Sequence, residues 1–206
     1  MLAIAGGKGG CGKTTTTLGL AEALSGRVVA VDLDRGMANL HALAEVDREP
    51  TLLAEDPDSA THTASDGADV DIVPAPRPGA NRTAVEGALS RVADDETAVL
   101  LDSPAGATES ATLPLRVADR TLLVSTLCAP ALRDTAKTAA MARELDAPPC
   151  GVVLTRTQLT PDAVSELLDC PVLASIPSAE QPVLNATVVR VAYRRLAERL
   201  RESRTI

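Results

Sequence analysis

The sequence predicts an α/β fold, a doubly wound and mostly parallel sheet flanked by helices. Three observations lead to this prediction. Short apolar runs alternate with helical patterns along the chain, a glycine-rich loop joins the first run to the first helix, and two other runs carry aspartate at their carboxyl ends. With 206 residues, 45% of them hydrophobic, the chain is long enough to bury a sizeable core, so we expect one domain over residues 1–206.

Seven apolar runs are predicted as β-strands, because short runs bounded by turn signals suit buried parallel strands. In chain order they are Leu2–Ala5, Arg27–Leu33, Val70–Ala75, Ala98–Asp102, Thr121–Ser125, Gly151–Thr155 and Val172–Ile176. The first helix follows the glycine-rich loop, and an amphipathic helix is predicted over about residues 186–203. Residues 54–69 are small, polar and acidic, which indicates a flexible surface connection.

The first strand leads into a phosphate-binding loop. Gly7 to Thr14 matches the pattern G-x-x-x-x-G-K-[ST], in which backbone N–H groups surround the phosphates of a nucleotide at the start of a helix. We expect Lys13 to neutralise the outer phosphates and Thr14 to place its hydroxyl on Mg²⁺. The predicted nucleotide contacts of the loop are Gly7, Lys8, Gly9, Gly10, Cys11, Gly12, Lys13, Thr14 and Thr15.

A second lysine, Lys8, stands five residues before Lys13. A lysine in a loop is usually only solvated, but the residues from Lys8 to Thr15 read K-G-G-x-G-K-T-T, which resembles the deviant Walker-A ATPases of the MinD/ParA family. This resemblance implies a P-loop NTPase fold and an ATP-dependent homodimer. It also implies that Lys8 reaches across the dimer interface and stabilises the charge of the partner's transferring phosphoryl group.

Two aspartates extend the resemblance. The strand that ends in Asp32-Leu33-Asp34 is similar to the one before the family's first switch, which implies that Asp34 orients the attacking water. Leu100–Gly106 resembles the Walker-B strand and second switch, which implies that Asp102 holds Mg²⁺ through water, together with Thr14. Carboxylates at strand ends beside a phosphate loop are also where a metal and an in-line water must be placed. The expected catalytic residues are Lys8, Lys13 and Asp34.

Details within these segments favour the MinD-like branch. Four residues separate Asp34 from Asn39, as in MinD-like proteins, whereas ParA-like partition ATPases usually have three. Asp102-Ser-Pro-Ala-Gly also resembles MinD, and Val124–Asp134 is similar to the segment that follows the fifth strand in that branch.

The base contacts are less specific. The family often has an Asn-Arg pair at the end of the sixth strand, where the asparagine reads adenine, but this chain has Thr155 and Arg156. A threonine hydroxyl cannot make the two-point contact of an amide, so selectivity for the purine is open. Pro177 and Ser178 resemble the segment that flanks the base, although Pro177 equally suits the end of a strand.

Composition bears on partners and location. The formal net charge is −8, with 17 arginines and three lysines, and an acidic, lysine-poor chain resembles proteins of salt-loving archaea. Such a chain is a poor general DNA binder. Four isolated cysteines with no secretion signal indicate a reducing cytoplasm, and the paired thiols of iron–sulfur carriers are absent from the sequence.

The basic C-terminal helix has three interpretations. A basic amphipathic helix can lie on an anionic membrane, and its arginines can touch DNA phosphates. It also resembles the last structural helix of MinD-like proteins, after which the membrane-targeting helix would begin, where this chain stops at Ile206. We therefore expect a packed structural helix and no stable membrane anchor.

Together these features predict a cytoplasmic ATPase with ATP and Mg²⁺ as cofactors. We expect it to dimerise on ATP, to hydrolyse ATP slowly, and to position a partner or cargo protein as MinD-like regulators of division or polar structures do. A ParA-type DNA partition ATPase, a carrier for cofactor or metal-cluster assembly, and a binding module without hydrolysis are the alternatives.

Overall fold

A computed structural model describes residues 1–54, 60–63, 70–92 and 97–206. Strands and helices alternate over these residues. The strands are β1 (Leu2–Gly6), β2 (Val28–Asp32), β3 (His62–Thr63), β4 (Val70–Val73), β5 (Ala98–Ala105), β6 (Arg120–Thr126), β7 (Pro149–Thr155) and β8 (Val172–Ile176). The helices are α1 (Lys13–Ala23), α2 (Leu40–Leu43), α3 (Arg82–Val92), α4 (Thr112–Val117), α5 (Ala129–Glu144), α6 (Asp162–Leu168) and α7 (Thr187–Glu202), with 3-10 turns at Glu109–Ala111 and Val183–Asn185.

The described strands form one sheet in the order β3-β4-β2-β5-β1-β6-β7-β8. All neighbours are parallel except β3, which runs antiparallel to β4. The chain passes to one side of β1 to form β2, β4 and β5, and then to the other side to form β6, β7 and β8. The carboxyl ends of β1, β2 and β5 therefore meet beside the point where the strand order reverses, the usual place for a ligand in such sheets. The predicted fold class is confirmed.

All seven predicted strands are present, and β5 runs three residues beyond its predicted end. The flexible connection predicted at 54–69 needs correction within residues 60–63. Ala60 is buried, and His62 and Thr63 pair with β4. Residues 55–59 and 64–69 of that connection lie outside the described residues. The prediction missed this strand because a two-residue edge strand in a polar segment has almost no apolar pattern.

The core is aliphatic and lies on both faces of the sheet. Because side chains alternate along a strand, Leu2 and Ile4 of β1 face one layer and Ala3 and Ala5 face the other. The first layer contains α1 and α7, which pack against each other and against the sheet. Within the described residues, no helix has both the length and the apolar character needed to cross a membrane.

Helix α7 contributes its whole apolar stripe to this core. Val189, Tyr193, Leu196 and Leu200 are at most 2% exposed, whereas the arginines of the opposite face are exposed. The stripe repeats at the spacing of one helical face, which explains why the segment folds as a helix on the sheet. The apolar face is therefore occupied by the protein itself.

Candidate functional site

The glycine-rich loop follows β1 and ends where α1 begins. Gly12, the residue before α1, has a φ of 95°, a left-handed conformation that favours glycine. No side chain caps the first turn of α1, so its free N–H groups are available to an anion. A Cβ atom at Gly7 would lie 2.1 Å from the carbonyl carbon of Asp134 in α5, so the loop packs directly on that helix.

The two loop lysines occupy different environments. Lys13, in the first turn of α1, is 8% exposed, whereas Lys8 is exposed. Lys137 lowers the pKa of Asp134 by hydrogen bonding and charge, and the charge of Lys8 lowers it further. The pKa of Cys128 is also lowered, first by hydrogen bonds from Thr126 and Ala131 and then by Lys8. Lys8 therefore lies near the start of α5, on the solvent-exposed side of the phosphate loop.

Asp102 is one of two buried carboxylates of the site. It lies on β5 directly beside Asp32 of β2 in the register of the sheet, and it is 1% exposed. Burial raises its pKa to about 7, and the charges of Asp32 and Asp34 act in the same direction, while Thr14 and Lys13 oppose the shift. Thr17 of α1 donates a hydrogen bond to Asp102 at 3.4 Å. A buried carboxyl group beside a hydroxyl provides oxygen ligands of the kind that a cation can use.

The donor set suits Mg²⁺ bound with phosphate and water. Among the described residues, no group of three His, Cys, Asp or Glu side chains is arranged to hold a metal by itself. Mg²⁺ usually retains several waters and takes only one or two carboxylates plus substrate phosphates, so a hydroxyl and one carboxylate are a sufficient protein contribution. Thr14 and Asp102 fit that requirement.

Asp32 is a site residue to which the sequence analysis gave no role. Its side chain is fully buried and accepts backbone N–H groups from Asp34 at 2.9 Å and from Asn39 and Leu40 at 3.1 Å. Burial raises its pKa to about 6, although these three hydrogen bonds oppose the rise. Asp32 thus fixes both ends of the loop between β2 and α2. The Asp-x-Asp spacing was the available signal, but it does not show which carboxylate turns inward.

Asp34 lies at the start of that loop. Its Oδ1 accepts the backbone N–H of Met37 at 3.0 Å, and the side chain is half-buried. The residue lines an open cleft of about 250 Å³ with Gly79 and Ser110. Asp34 is therefore accessible, unlike Asp32, and this accessibility is compatible with contact to water.

Asn39, used in the sequence analysis only for its spacing, also reaches the site. The hydroxyl of Thr14 donates a hydrogen bond to Asn39 Oδ1 at 3.0 Å. The loop after β2 is thereby joined to the hydroxyl predicted to hold Mg²⁺.

The predicted base contacts lie together on the other side of the loop. Thr155, Arg156, Pro177 and Ser178 line one cavity of about 230 Å³, next to Gly12. Thr155 donates its hydroxyl proton to Cys11 O at 2.7 Å, and Arg156 donates to Gly10 O at 2.6 Å. Both side chains thus support the loop as well as lining the cavity. Gln181 and Tyr193, which the sequence analysis did not place here, complete the polar lining.

A phosphate loop at the carboxyl edge of a parallel sheet, with a buried lysine, a hydroxyl and a buried carboxylate from a neighbouring strand, defines a P-loop nucleotide-binding protein. The sequence model of the CobQ/CobB/MinD/ParA nucleotide binding domain matches residues 2–183. The chain belongs to this family.

Similar proteins agree with this assignment. An uncharacterized ATP-binding protein of Methanocaldococcus jannaschii is 32% identical over 197 residues, which cover 87% of this chain and 75% of that protein. The septum site-determining protein MinD of Pyrococcus horikoshii, solved with Mg-ADP, has a TM-score of 0.88 at 25% identity. The superposition covers 98% of this chain and 96% of the MinD chain. The cell division ATPase MinD of Pyrococcus furiosus has a TM-score of 0.86 at 25% identity, with 98% of each chain covered. The predicted family and its MinD-like branch are confirmed, and the chain is an ATP-binding P-loop ATPase of the MinD/ParA type.

Proposed function

We propose that this protein is a Mg²⁺-dependent ATPase switch that dimerises on ATP and positions a partner or cargo in the cell, as a MinD-like spatial regulator of division or polar structures. The observation that carries the proposal is the contrast between the two loop lysines, one buried at the phosphate loop and one exposed on its outer side. A phosphate site served by one lysine leaves the other free to act elsewhere. We further propose that it works in the reducing cytoplasm.

The proposed chemistry assigns one task to each residue. Backbone N–H groups from Gly9 to Lys13 surround the phosphates, and the Lys13 ammonium neutralises charge on the outer ones. Thr14 and Asp102 would hold Mg²⁺, which would supply positive charge to the phosphates. Asp34 orients the attacking water from its accessible position after β2.

Lys8 is proposed to act on the nucleotide of a second copy. Its side chain is exposed and lies near Asp134 and Cys128, at the start of α5. A cation there is available to a partner that docks against this edge, where it would stabilise charge that develops in the transition state. The MinD structure from Pyrococcus horikoshii supports the cofactor assignment, since it was solved with Mg-ADP.

A DNA partition role is the second candidate, and the exposed arginines of α7 are the observation in its favour. Arg190, Arg194 and Arg195 lie on the solvent face of that helix. The net charge of −8 opposes binding to a polyanion. ATP-dependent retention of DNA that weakens steeply with salt would support partition over protein positioning.

The test is the mass of the protein in solution, measured by light scattering in high-salt buffer with Mg²⁺ and either ADP or ATP. Wild type should be monomeric with ADP and dimeric with ATP, and Lys8→Ala should lose ATP hydrolysis. Lys137→Ala is the matched control, because it removes the remaining lysine outside the loop, an exposed side chain with the same charge. A protein that stays monomeric with ATP, or hydrolysis that is unaffected by Lys8→Ala, would contradict the proposal.

A further inference from the structure

We propose that Gln181 selects the adenine base in this chain, a task that Thr155 at the end of β7 is not free to perform. The inference rests on the proposed ATP-binding function and adds the residue that determines nucleotide specificity. It follows from how the polar side chains around the 230 Å³ cavity are already engaged.

Three of those side chains are held by the phosphate loop or by α1. Thr155 donates its one hydroxyl proton to Cys11 O at 2.7 Å, and Arg156 donates to Gly10 O. The Tyr193 hydroxyl lies 3.3 Å from the hydroxyl of Thr16 in α1. Thr155 can still accept a hydrogen bond, but it has no proton left to donate to a base. It therefore cannot read a donor and an acceptor together.

Gln181 has the capacity that Thr155 lacks. Its side chain is exposed, lines the cavity, and makes no hydrogen bond within the part of the chain that the structure describes. A carboxamide carries a donor and an acceptor side by side, whereas the other polar side chains there that make no hydrogen bond among the described residues, Thr15 and Ser178, carry one hydroxyl each. Of these three, only Gln181 can make the two-point contact of an amide.

This pairing distinguishes adenine from guanine. Adenine presents an amino donor next to a ring-nitrogen acceptor, and a glutamine amide pairs with both. Guanine presents two acceptors at the corresponding edge, O6 and N7, so the amide oxygen of glutamine would face another acceptor. Gln181 is thus suited to favour adenine.

The cavity itself suits a base better than a whole nucleotide. Its volume of about 230 Å³ is below the usual range of roughly 300–1,000 Å³ for complete small-molecule sites. Ile176, Pro177 and Val183 give it an apolar wall, and Gly12 and Thr15 connect it to the phosphate loop. A base in this cavity would therefore lie between the phosphate loop and Gln181.

The experiment is a titration calorimetry measurement of ATP, GTP and purine riboside triphosphate, which lacks the 6-amino group, with Mg²⁺. Wild type should bind ATP about tenfold or more tightly than GTP, as one bidentate base contact provides. Gln181→Leu, which keeps the size of the side chain without its amide, should lose most of that preference. It should also bind ATP and purine riboside triphosphate nearly equally.

Two further variants separate base reading from general damage. Thr155→Val should weaken ATP and GTP alike, because it removes the support of the loop and not a base contact. Gln158→Leu makes the same chemical change at an exposed position after β7, and the ATP preference should be unchanged. Equal affinity of wild type for ATP and GTP, or a preference that survives Gln181→Leu, would overturn the inference. Absence of binding by any triphosphate to wild type would instead overturn the proposed function.

Discussion

The burial of Asp102 destabilises the folded protein when no nucleotide is bound. Its pKa of about 7, against an ordinary value of 3.8, means that the folded state holds a proton that the unfolded state has already released. The contribution of Asp102 to stability is therefore favourable at low pH, and it is lost as pH rises through about 7. A bound divalent cation would reverse this effect by favouring the carboxylate.

We expect Asp102→Asn to raise the melting temperature of the nucleotide-free protein at pH 8 and to raise it less at pH 5, because most of the interval between the two pKa values lies above pH 5. Each kcal/mol corresponds to roughly 2–4 °C for a chain of this size. Scanning calorimetry in chelator from pH 5 to 8 measures the difference between variant and wild type. Parallel curves for the two proteins across that range would show that Asp102 does not titrate there.

We expect Asn39 to position Thr14 at the proposed Mg²⁺ site, as residues that hydrogen-bond to metal ligands do in other metal sites. Its amide oxygen accepts the proton of the Thr14 hydroxyl, so the oxygen lone pairs of Thr14 are directed away from Asn39 and toward the site. We expect Asn39→Ala to raise the Mg²⁺ concentration for half-maximal ATPase activity by roughly 10- to 100-fold. At saturating Mg²⁺, kcat should recover.

The matched control is Asn81→Ala. The Asn81 amide accepts the backbone N–H of Ala84 at the start of α3, outside the phosphate loop and the loop after β2. The control should leave the Mg²⁺ dependence unchanged. If Asn39→Ala instead lowers kcat at every Mg²⁺ concentration without moving the midpoint, Asn39 acts on catalysis and not on the metal.

The sequence predicts the residues of the phosphate loop because they are contiguous, and a contiguous pattern needs no knowledge of the fold. The sequence does not predict the roles of Asp32, Asn39 and Gln181, because these roles depend on partners elsewhere in the chain. Asp32 accepts hydrogen bonds from the backbone at positions 39 and 40, and Asn39 accepts one from Thr14. Gln181 lines the cavity beside Thr155. No spacing rule links such segments before the sheet brings them together.

At the scale of elements, α7 shows how packing decides between interpretations that sequence leaves open. The same amphipathic pattern suits a membrane, DNA or the protein's own core. In the structure its apolar stripe packs on α1 and the sheet, and its arginines face outward. The long strands were predictable from their apolar runs, whereas β3 depends on pairing with β4 and has no comparable signal.

We expect Leu196→Ala in α7 to lower the free energy of unfolding by about 2–5 kcal/mol, because it removes a fully buried side chain. Arg195→Ala, the neighbouring exposed position, should change it by less than about 0.5 kcal/mol. Urea denaturation followed by circular dichroism measures both values. A small effect at Leu196 would mean that α7 is only loosely docked in solution.

At the scale of the molecule, the proposed dimer divides each active site between two chains. In that proposal, Asp34 acts on the nucleotide of its own chain and Lys8 acts on the nucleotide of its partner. Lys8→Ala and Asp34→Ala should each be inactive alone, yet each supplies what the other lacks. A mixed dimer then holds one complete site, formed from the nucleotide and Asp34 of one chain and Lys8 of the other.

We therefore expect a mixture of Lys8→Ala and Asp34→Ala to hydrolyse ATP well above the sum of the two proteins measured separately. A steady-state phosphate-release assay at constant total protein gives this comparison. The double variant Lys8→Ala/Asp34→Ala, mixed with wild type, is the control, since its mixed dimers hold no complete site. If the activity of the first mixture equals the sum of the two separate activities, the two residues do not act on nucleotides of different chains.

The packing of Tyr193 has a practical consequence for observing the protein. The chain contains no Trp or Phe and only one Tyr, so its intrinsic ultraviolet emission comes from a single ring. That ring is 2% exposed and lies between α1 and the cavity beside Gly12 and Thr15. A nucleotide that enters the cavity would change the surroundings of the chain's one natural fluorophore, so the unlabelled protein carries its own optical probe where the base is expected to bind.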